Sequence, residues 1–246
     1  MHTYAIGDIH GHLDLLTEVH ALIAKDIETY GAAPIVHIGD LIDRGPDSRG
    51  VVEFLRAGIL AGKNWVVLKG NHDRMFTKYL TDMNDHDDGL RADLSYLHPR
   101  IGGAATLASY GVKNASDRPL APVHAEAVAA VPPTHRRFLE SLPTSFSRDT
   151  SIYVHAGIRP GIALAAQSET DLLWIRKDFL ENPCDHGALI VHGHTAIERP
   201  THYGNRLNID SSAAYGGPLS AVVIEGRTVY HLTASGRIAL SPRPNL

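Results

Sequence analysis

The chain has 246 residues, 43% of them hydrophobic and 20% charged, enough to bury the core of one large domain or two small ones. A formal charge of -4 leaves no general footprint for nucleic-acid backbone, although a metal or a local arginine can still create a phosphate site. The single cysteine, Cys184, excludes an intrachain disulfide and a thiolate metal cluster, and no apolar run approaches the roughly 18 residues of a membrane span.

The opening "MHTYAIGD" has no cationic region followed by a long apolar core, so no secretory signal is expected, and a cytoplasmic protein is the default. Residues 3–7 read as a strand. Leu13, Leu16, Val19 or His20, Ile23 and Ile27 then recur at helical spacing up to Gly31. "APIVHIGD" gives a second strand, Pro34 to Ile38, and Asp47 or Ser48 can cap the helix through "RGVVEFLRAG". "NWVVLKG" is a third strand, followed by a helix from about Asp73. These repeated β–α units predict an α/β sheet.

Between about 81 and 147 the pattern changes. The acidic "TDMNDHDDG" reads as a solvated loop, with a substrate lip as the alternative. Prolines in 119–133 are expected to interrupt regular structure, and a helix is expected around Arg136–Leu142. The second half offers short strands at Ser151–His155, Ala188–Val191, Leu207–Asp210, Leu219–Ile224 and Thr228–Thr233, the last two joined as a hairpin by "EGR". The tail "SPRPNL" is expected to be loose. A layered α/β/β/α sandwich accommodates this order.

Sixteen histidines stand out against 23 lysines and arginines. Three polar corners follow the first three strands: "GDIHG" at 7–11, "GDLIDRG" at 39–45 and "GNHD" at 70–73. Asp8 and His10 are two apart, so in extended backbone they share a direction. Asp40 and Asn71 take the matching place in the next corners, each one residue beyond a glycine. "VHAG" at 154–157 and "VHGHT" at 191–195 follow two later strands. Each corner alone is an ordinary polar loop. Together they supply carboxylate, imidazole and amide donors suited to manganese, iron or zinc, with Asp40 able to bridge two ions.

The ordered set "GDIHG", "GDLIDRG", "GNHD", "HAG" and "GHT", with "GGAATLASYG", "DLLWIR" and "NIDSSAAYGGPLSAV", resembles the phosphoprotein phosphatase family of dinuclear metallophosphoesterases, especially its compact bacterial and phage-type members. The resemblance spans roughly residues 4–225. It implies one four-layer α/β/β/α domain over 1–246, with a variable segment at about 81–147. It implies two divalent ions, Mn²⁺ first and Fe²⁺ or Zn²⁺ as alternatives. Asp8 and His10 would hold one, Asp40 would bridge, and Asn71, His155 and His194 would complete the other, leaving His192 outside the ligand set. His72 would be the general acid, oriented by Asp43, while Arg44 and Arg176 would bind phosphate oxygens. For Arg176 the alternative is a surface salt-bridge residue on a helix.

On this resemblance the expected substrates are phosphoserine and phosphothreonine in proteins or peptides, with small phosphoesters also accepted and neither nucleic acid nor membrane as partner. Symmetrical diadenosine tetraphosphate hydrolysis is the closest alternative. Members with that activity generally lack the aspartate of the "DRG" corner, which this chain keeps as Asp43. A non-catalytic metal-binding module would need the ligands alone, without Arg44, His72 and Asp43 beside them.

Overall fold

A computed structural model describes residues 1–243 and confirms the layered α/β/β/α arrangement. Strand β1 (Thr3–Ile6) leads into helix α1 (Leu13–Tyr30), which buries Leu16, Val19 and Ile23 one helical turn apart and ends where Gly31 N–H bonds Ile27 O. Strand β2 (Ile35–His37) leads into α2 (Ser48–Leu60), capped by the Asp47 carboxylate, which accepts the Gly50 N–H at 2.8 Å. Strand β3 (Trp65–Val67) leads into α3 (Asn71–Thr81), two residues earlier than expected.

The segment that follows contains α4 (Gly103–Ser109), α5 (Leu120–Ala130) and α6 (Pro133–Glu140). Regular structure therefore runs through most of the stretch in which the prolines suggested interruption. Pro122 lies in the first turn of α5 and Pro133 opens α6, positions where a missing N–H costs no intrahelical bond. Strands β4 (Ser145–Arg148) and β5 (Ser151–Val154) precede two short helices, α7 (Glu169–Trp174) and α8 (Lys177–Leu180). Strands β6 (Leu189–His192), β7 (Thr201–His202), β8 (Arg206–Asn208), β9 (Ala221–Glu225), β10 (Thr228–Thr233) and β11 (Gly236–Ala239) complete the order. Of the tail expected to be loose, Arg243 N–H bonds His202 O at 2.8 Å, and residues 244–246 lie outside the described residues.

One sheet runs β11-β10-β9-β1-β2-β3 and the other β4-β5-β6-β8-β7. Strands β1, β2 and β3 are mutually parallel, as are β5, β6 and β8. Alternation along the strands divides the core. Ala5, Val36, Val222 and Ile224 meet Tyr153, Leu189, Val191 and Leu207 between the sheets. Tyr4, Ile6, Ala221 and Val223 face α1, α2 and the helices of 103–140, while Val154 and Ile190 face Leu172 and Phe179 of α7 and α8. This stacking brings the carboxyl ends of both parallel strand sets to one edge, where ligands bind in open α/β sheets. Among the described residues, no helix is long and apolar enough to cross a membrane.

Candidate active site

The corners that follow β1 and β2 are tied to one another by backbone. Ile9 and His10 N–H both donate to Asp40 O, at 3.0 and 2.8 Å, and Gly45 N–H donates to His10 O at 2.9 Å. His10, Asp40, Asp43, Arg44 and His194 all have positive φ, between 46° and 72°. Side chains rarely adopt that region, and five such residues in one site mark a backbone held by its surroundings. Two glycines are required by close approach. A Cβ on Gly70 would lie 2.1 Å from Asp40 N, and one on Gly193 would lie 1.9 Å from Asp8 Oδ1.

Asp8, His10, Asp40, Asn71, His155 and His194 are all buried at this edge. His10 Nδ1–H donates to Ile42 O at 2.9 Å and His155 Nδ1–H to Ile38 O at 3.0 Å. Those bonds fix both tautomers and turn the Nε2 lone pairs inward. Burial lowers His10 to about 4 and also lowers His155 and His194, so these rings are neutral at neutral pH.

Asp40 lies between the imidazoles, with Oδ2 3.4 Å from His10 Nε2 and Oδ1 3.3 Å from His155 Nε2. Burial alone would raise this carboxyl, but the neighbouring His155, His72 and His10 outweigh it and hold the group well below the usual range. Asn71 Oδ1 is 2.8 Å from both His155 Nε2 and His194 Nδ1. With His155 neutral, its Nε2 lone pair meets the lone pairs of Asn71 Oδ1 and Asp40 Oδ1 with no proton between them. Such an arrangement is stable around a cation.

Asp40, His155 and His194 therefore form one compact donor triad, and His10, Asp40 and His72 form a second that shares Asp40. Asp8 falls outside both triads: its Oδ2 accepts His194 N–H at 3.0 Å, and its buried Oδ1 has no partner. Burial, and then the charges of Asp210 and Asp40, push Asp8 well above the ordinary carboxylate range. Crowded acids and orphaned lone pairs both fit divalent cations. These groups could hold metal.

His72 Nδ1–H donates to Asp43 Oδ2 at 2.7 Å, leaving Nε2 toward the cleft. Asp43 is fully buried, and its Oδ1 accepts the hydroxyls of Tyr96 and Thr106, each at 2.7 Å. The Arg44 guanidinium reaches His10 Nε2 at 2.9 Å and His72 Nε2 at 3.1 Å and lies 5.1 Å from the Tyr215 ring centroid. Asp73 accepts the N–H groups of Gly70 and Leu41, at 2.8 and 3.1 Å, and so joins two corners. Arg176 stands at the junction of α7 and α8 rather than within a helix. Among the described residues it makes no ion pair, only a 3.4 Å contact from Nη1 to Thr195 Oγ1.

These groups open on a cleft of about 660 Å³ that Arg44, Arg176, Asp40 and His194 line together with Trp174 and Tyr215. His192 stays outside, bonding Gly193 O and facing Arg206 Nη1 at 3.3 Å. His20 and His37 pack as a pair with their Nε2 atoms 3.0 Å apart, and Cys184 is exposed on a loop outside the cleft.

Three residues escape the sequence reading. Asp210, two residues past β8, completes a sixth corner on the cleft; burial raises it to about 6 against the Ser212 N–H it accepts, and Asp40's charge adds to the rise. Read from the residues alone, its signal is an acid after an apolar strand in "LNID", without the glycine that marks the other acidic corners, although it lies within the resembling stretch "NIDSSAAYGGPLSAV". Tyr96 reaches Asp43 from a stretch with no periodicity to place it, and Thr106 reaches it from α4, inside "GGAATLASYG" but without a role assigned there. The acidic run is only partly solvated: Asp87 is buried, and both its oxygens take the Arg74 fork at 2.7 Å.

Comparison with known proteins bears on the family and the fold. Serine/threonine-protein phosphatase 1 of Salmonella typhimurium is 27% identical over 235 residues, covering 91% of this chain and 92% of its own length. The asymmetrical bis(5'-nucleosyl)-tetraphosphatase PrpE of Geobacillus thermodenitrificans is 26% identical over 250 residues, covering 90% of each. The crystal structure of a cold-active protein-tyrosine phosphatase from a psychrophilic Shewanella shares the fold, with a TM-score of 0.60 at 20% identity over 98% of this chain and 80% of that one. A sequence model of the calcineurin-like phosphoesterases matches residues 1–216, and the chain belongs to that family of metallophosphoesterases.

Proposed function

We propose that this phosphoesterase is a serine/threonine protein phosphatase that works with two divalent ions and a His72–Asp43 acid pair. The observation that carries the reading is His72 Nε2 facing the cleft while Asp43 takes Nδ1–H at 2.7 Å, beside the donor atoms of His10, Asp40, His155 and His194. Asp8, His10 and Asp40 would hold one ion; Asp40, Asn71, His155 and His194 would hold the other. Mn²⁺ is the ion expected, and Fe²⁺ or Zn²⁺ also suits the donor set. When bound, such ions lower the pKa of water and neutralise charge on the phosphoryl group.

The remaining work belongs to side chains. Arg44 and Arg176 take the non-bridging phosphate oxygens through their guanidinium forks. With Arg44 turned to phosphate, His72 Nε2 is free to carry a proton. It gives that proton to the serine or threonine oxygen as the bond from that oxygen to phosphorus breaks and a water oxygen bonds phosphorus on the opposite side; the proton that the water gives up passes to solvent, from which His72 is reprotonated. Asp43 holds the ring in register and stabilises the imidazolium form. No side chain acts as nucleophile. The full-length serine/threonine phosphatase relative supports this substrate class.

Hydrolysis of dinucleoside tetraphosphates is the second reading, favoured by the full-length PrpE relative and by a cleft larger than one phosphoryl group needs. Metal-free protein restored with Mn²⁺ tests the two side by side on phosphoserine and phosphothreonine peptides, diadenosine tetraphosphate and a cyclic phosphodiester. The phosphopeptides are expected to give the highest kcat/KM. A roughly tenfold preference for the dinucleotide would transfer the assignment to it, and no hydrolysis by metal-loaded protein would end both readings.

A further inference from the structure

The cleft has a wall that the acid pair and donor triads do not use. Gly89, Leu90, Arg91, Leu94, Arg100 and Ile101 line it, all from the segment that follows α3. That segment is acidic at its start, yet Asp82, Asp85, Asp87 and Asp88 line no part of the cleft. Two of them anchor the segment, while Asp82 and Asp88 are exposed to solvent. Asp87 takes the Arg74 fork, and Asp85 pairs with Lys78 at 2.9 Å. The Gly89 backbone lies flat on Trp174, where a Cβ would come within 2.3 Å of the indole. At the other end Leu94, Tyr96, Leu97 and Ile101 are buried, and Gly102 O accepts the Arg44 N–H at 3.3 Å. The wall is thus fixed to the same corner that carries Asp43 and Arg44.

What this wall presents to the cleft is cationic. Arg100 is exposed, and among the described residues its guanidinium has no carboxylate partner. Arg91, also exposed, shares its charge with Asp93 at 2.7 Å, a pair open to solvent and easily exchanged. The acids of the cleft, Asp40 and Asp210, belong to the buried corners rather than to this wall. A single phosphoryl group held by Arg44 and Arg176 leaves Arg100 without an anion and Arg91 with only its solvent-exposed Asp93 partner.

We propose that Arg91 and Arg100 form a second anion subsite, which binds a carboxylate or phosphate carried by the same substrate molecule beyond the scissile phosphoryl group. The subsite rests on the phosphoesterase reading above and adds a selectivity to it: substrates with a second negative group are preferred over those with one. The group has two sources, an acidic side chain beside the phosphorylated residue or the next phosphate of a polyphosphate chain. Guanidinium forks accept both.

The test uses full-length, Mn²⁺-loaded protein and its R91Q/R100Q variant, with R100Q alone as a second variant. Both residues are exposed, so the fold is expected to survive, and circular dichroism checks it. In one arm, kcat/KM is compared for a phosphoserine peptide flanked by Glu and the same peptide flanked by Gln. In the other, calorimetry compares binding of inorganic tripolyphosphate and orthophosphate. Wild type should favour the Glu peptide, or tripolyphosphate, by roughly tenfold, and the ratio should fall toward one in R91Q/R100Q, with R100Q between them. The arm in which the ratio collapses identifies the source. No preference in either arm of wild type, or a preference that survives in the double variant, overturns the subsite. If no phosphopeptide is hydrolysed, the phosphatase reading fails, while the calorimetric arm still decides the subsite by itself.

Discussion

Asp43 accepts His72 Nδ1–H on one oxygen and the Tyr96 and Thr106 hydroxyls on the other, all three at 2.7 Å. A buried carboxylate with both oxygens occupied is fixed in place, and it fixes the ring it holds. Replacing His72 with Asn should lower kcat roughly 100-fold or more on phosphoserine peptides. The loss should be much smaller on an activated aryl phosphate, whose leaving group needs little proton donation. Manganese content, read by mass spectrometry of the dialysed protein, should stay near wild type. A variant that loses its metal and then recovers full activity on supplementation would show His72 to be a ligand instead.

The two hydroxyls on Asp43 Oδ1 come from residues 53 and 63 positions away, so they couple the acid pair to the segment before and within α4. Tyr96→Phe and Thr106→Val each remove one donor to a buried charge. Each should cost about 1–3 kcal/mol in urea unfolding. In a cycle with Asp43→Asn the losses should fall short of additive by at least ~0.5 kcal/mol, because all three groups share one network. Full additivity would mean that the hydroxyls support the fold independently of the carboxylate.

Much of this site was legible in the sequence because each corner repeats one physical plan, an apolar strand, a tight turn and then a polar donor. The parallel strands then bring the donors together without further instruction. Asp210 follows a strand in the same way, but it lacks the preceding glycine and left only a weak trace. Tyr96 could not be found, since its contact with Asp43 depends on how an irregular segment folds back, and Thr106, although inside the stretch "GGAATLASYG", gives no sign from its own position that α4 turns it toward Asp43. The same holds for β4, β7 and β11, short strands with too few residues to set a period. In α5, composition misled: a proline in the first turn starts a helix rather than interrupting one.

A second pair of residues, remote from the donor triads, controls stability in acid. His37 Nδ1–H donates to Val66 O at 3.2 Å, so its Nε2 must accept from His20 Nε2–H at 3.0 Å, which requires His37 to be neutral. Burial lowers His20 to about 4; burial, and then the charge of His20, lower His37 to about 3. The unfolded chain takes up these protons near pH ~6.5, so between that point and the folded values it binds more protons than the native state. Stability from this pair is present above ~6.5 and lost as pH falls toward 4. Metal-free wild type should lose on the order of 3–4 kcal/mol more than His20→Leu/His37→Phe between about pH 7 and pH 5, roughly 2 kcal/mol from each ring, read as urea midpoints. Equal slopes for the two proteins would rule out the pair as the source.

Asp210 gives a prediction whose sign depends on metal. Burial raises its carboxyl to about 6, and the neighbouring Asp40 charge adds to the rise. The native state therefore keeps a proton that the unfolded chain releases near pH ~3.9, and stability is lost as pH climbs from there through about 6. At neutral pH the metal-free protein carries an ionised Asp210 that its surroundings disfavour. Asp210→Asn removes that charge and should raise metal-free stability by about 1–2 kcal/mol at pH ~7.5, with little difference near pH ~4. Bound Mn²⁺ adds positive charge beside the same carboxylate, so the advantage should vanish or reverse in metal-loaded protein, while wild type gains more from Mn²⁺ than the variant does. Thermal melts of both proteins, with chelator and with Mn²⁺, give the four midpoints needed. If the variant is stabilised equally in both conditions, Asp210 is merely a buried acid; a difference that changes with the ion makes it part of the charge balance of the donor cluster.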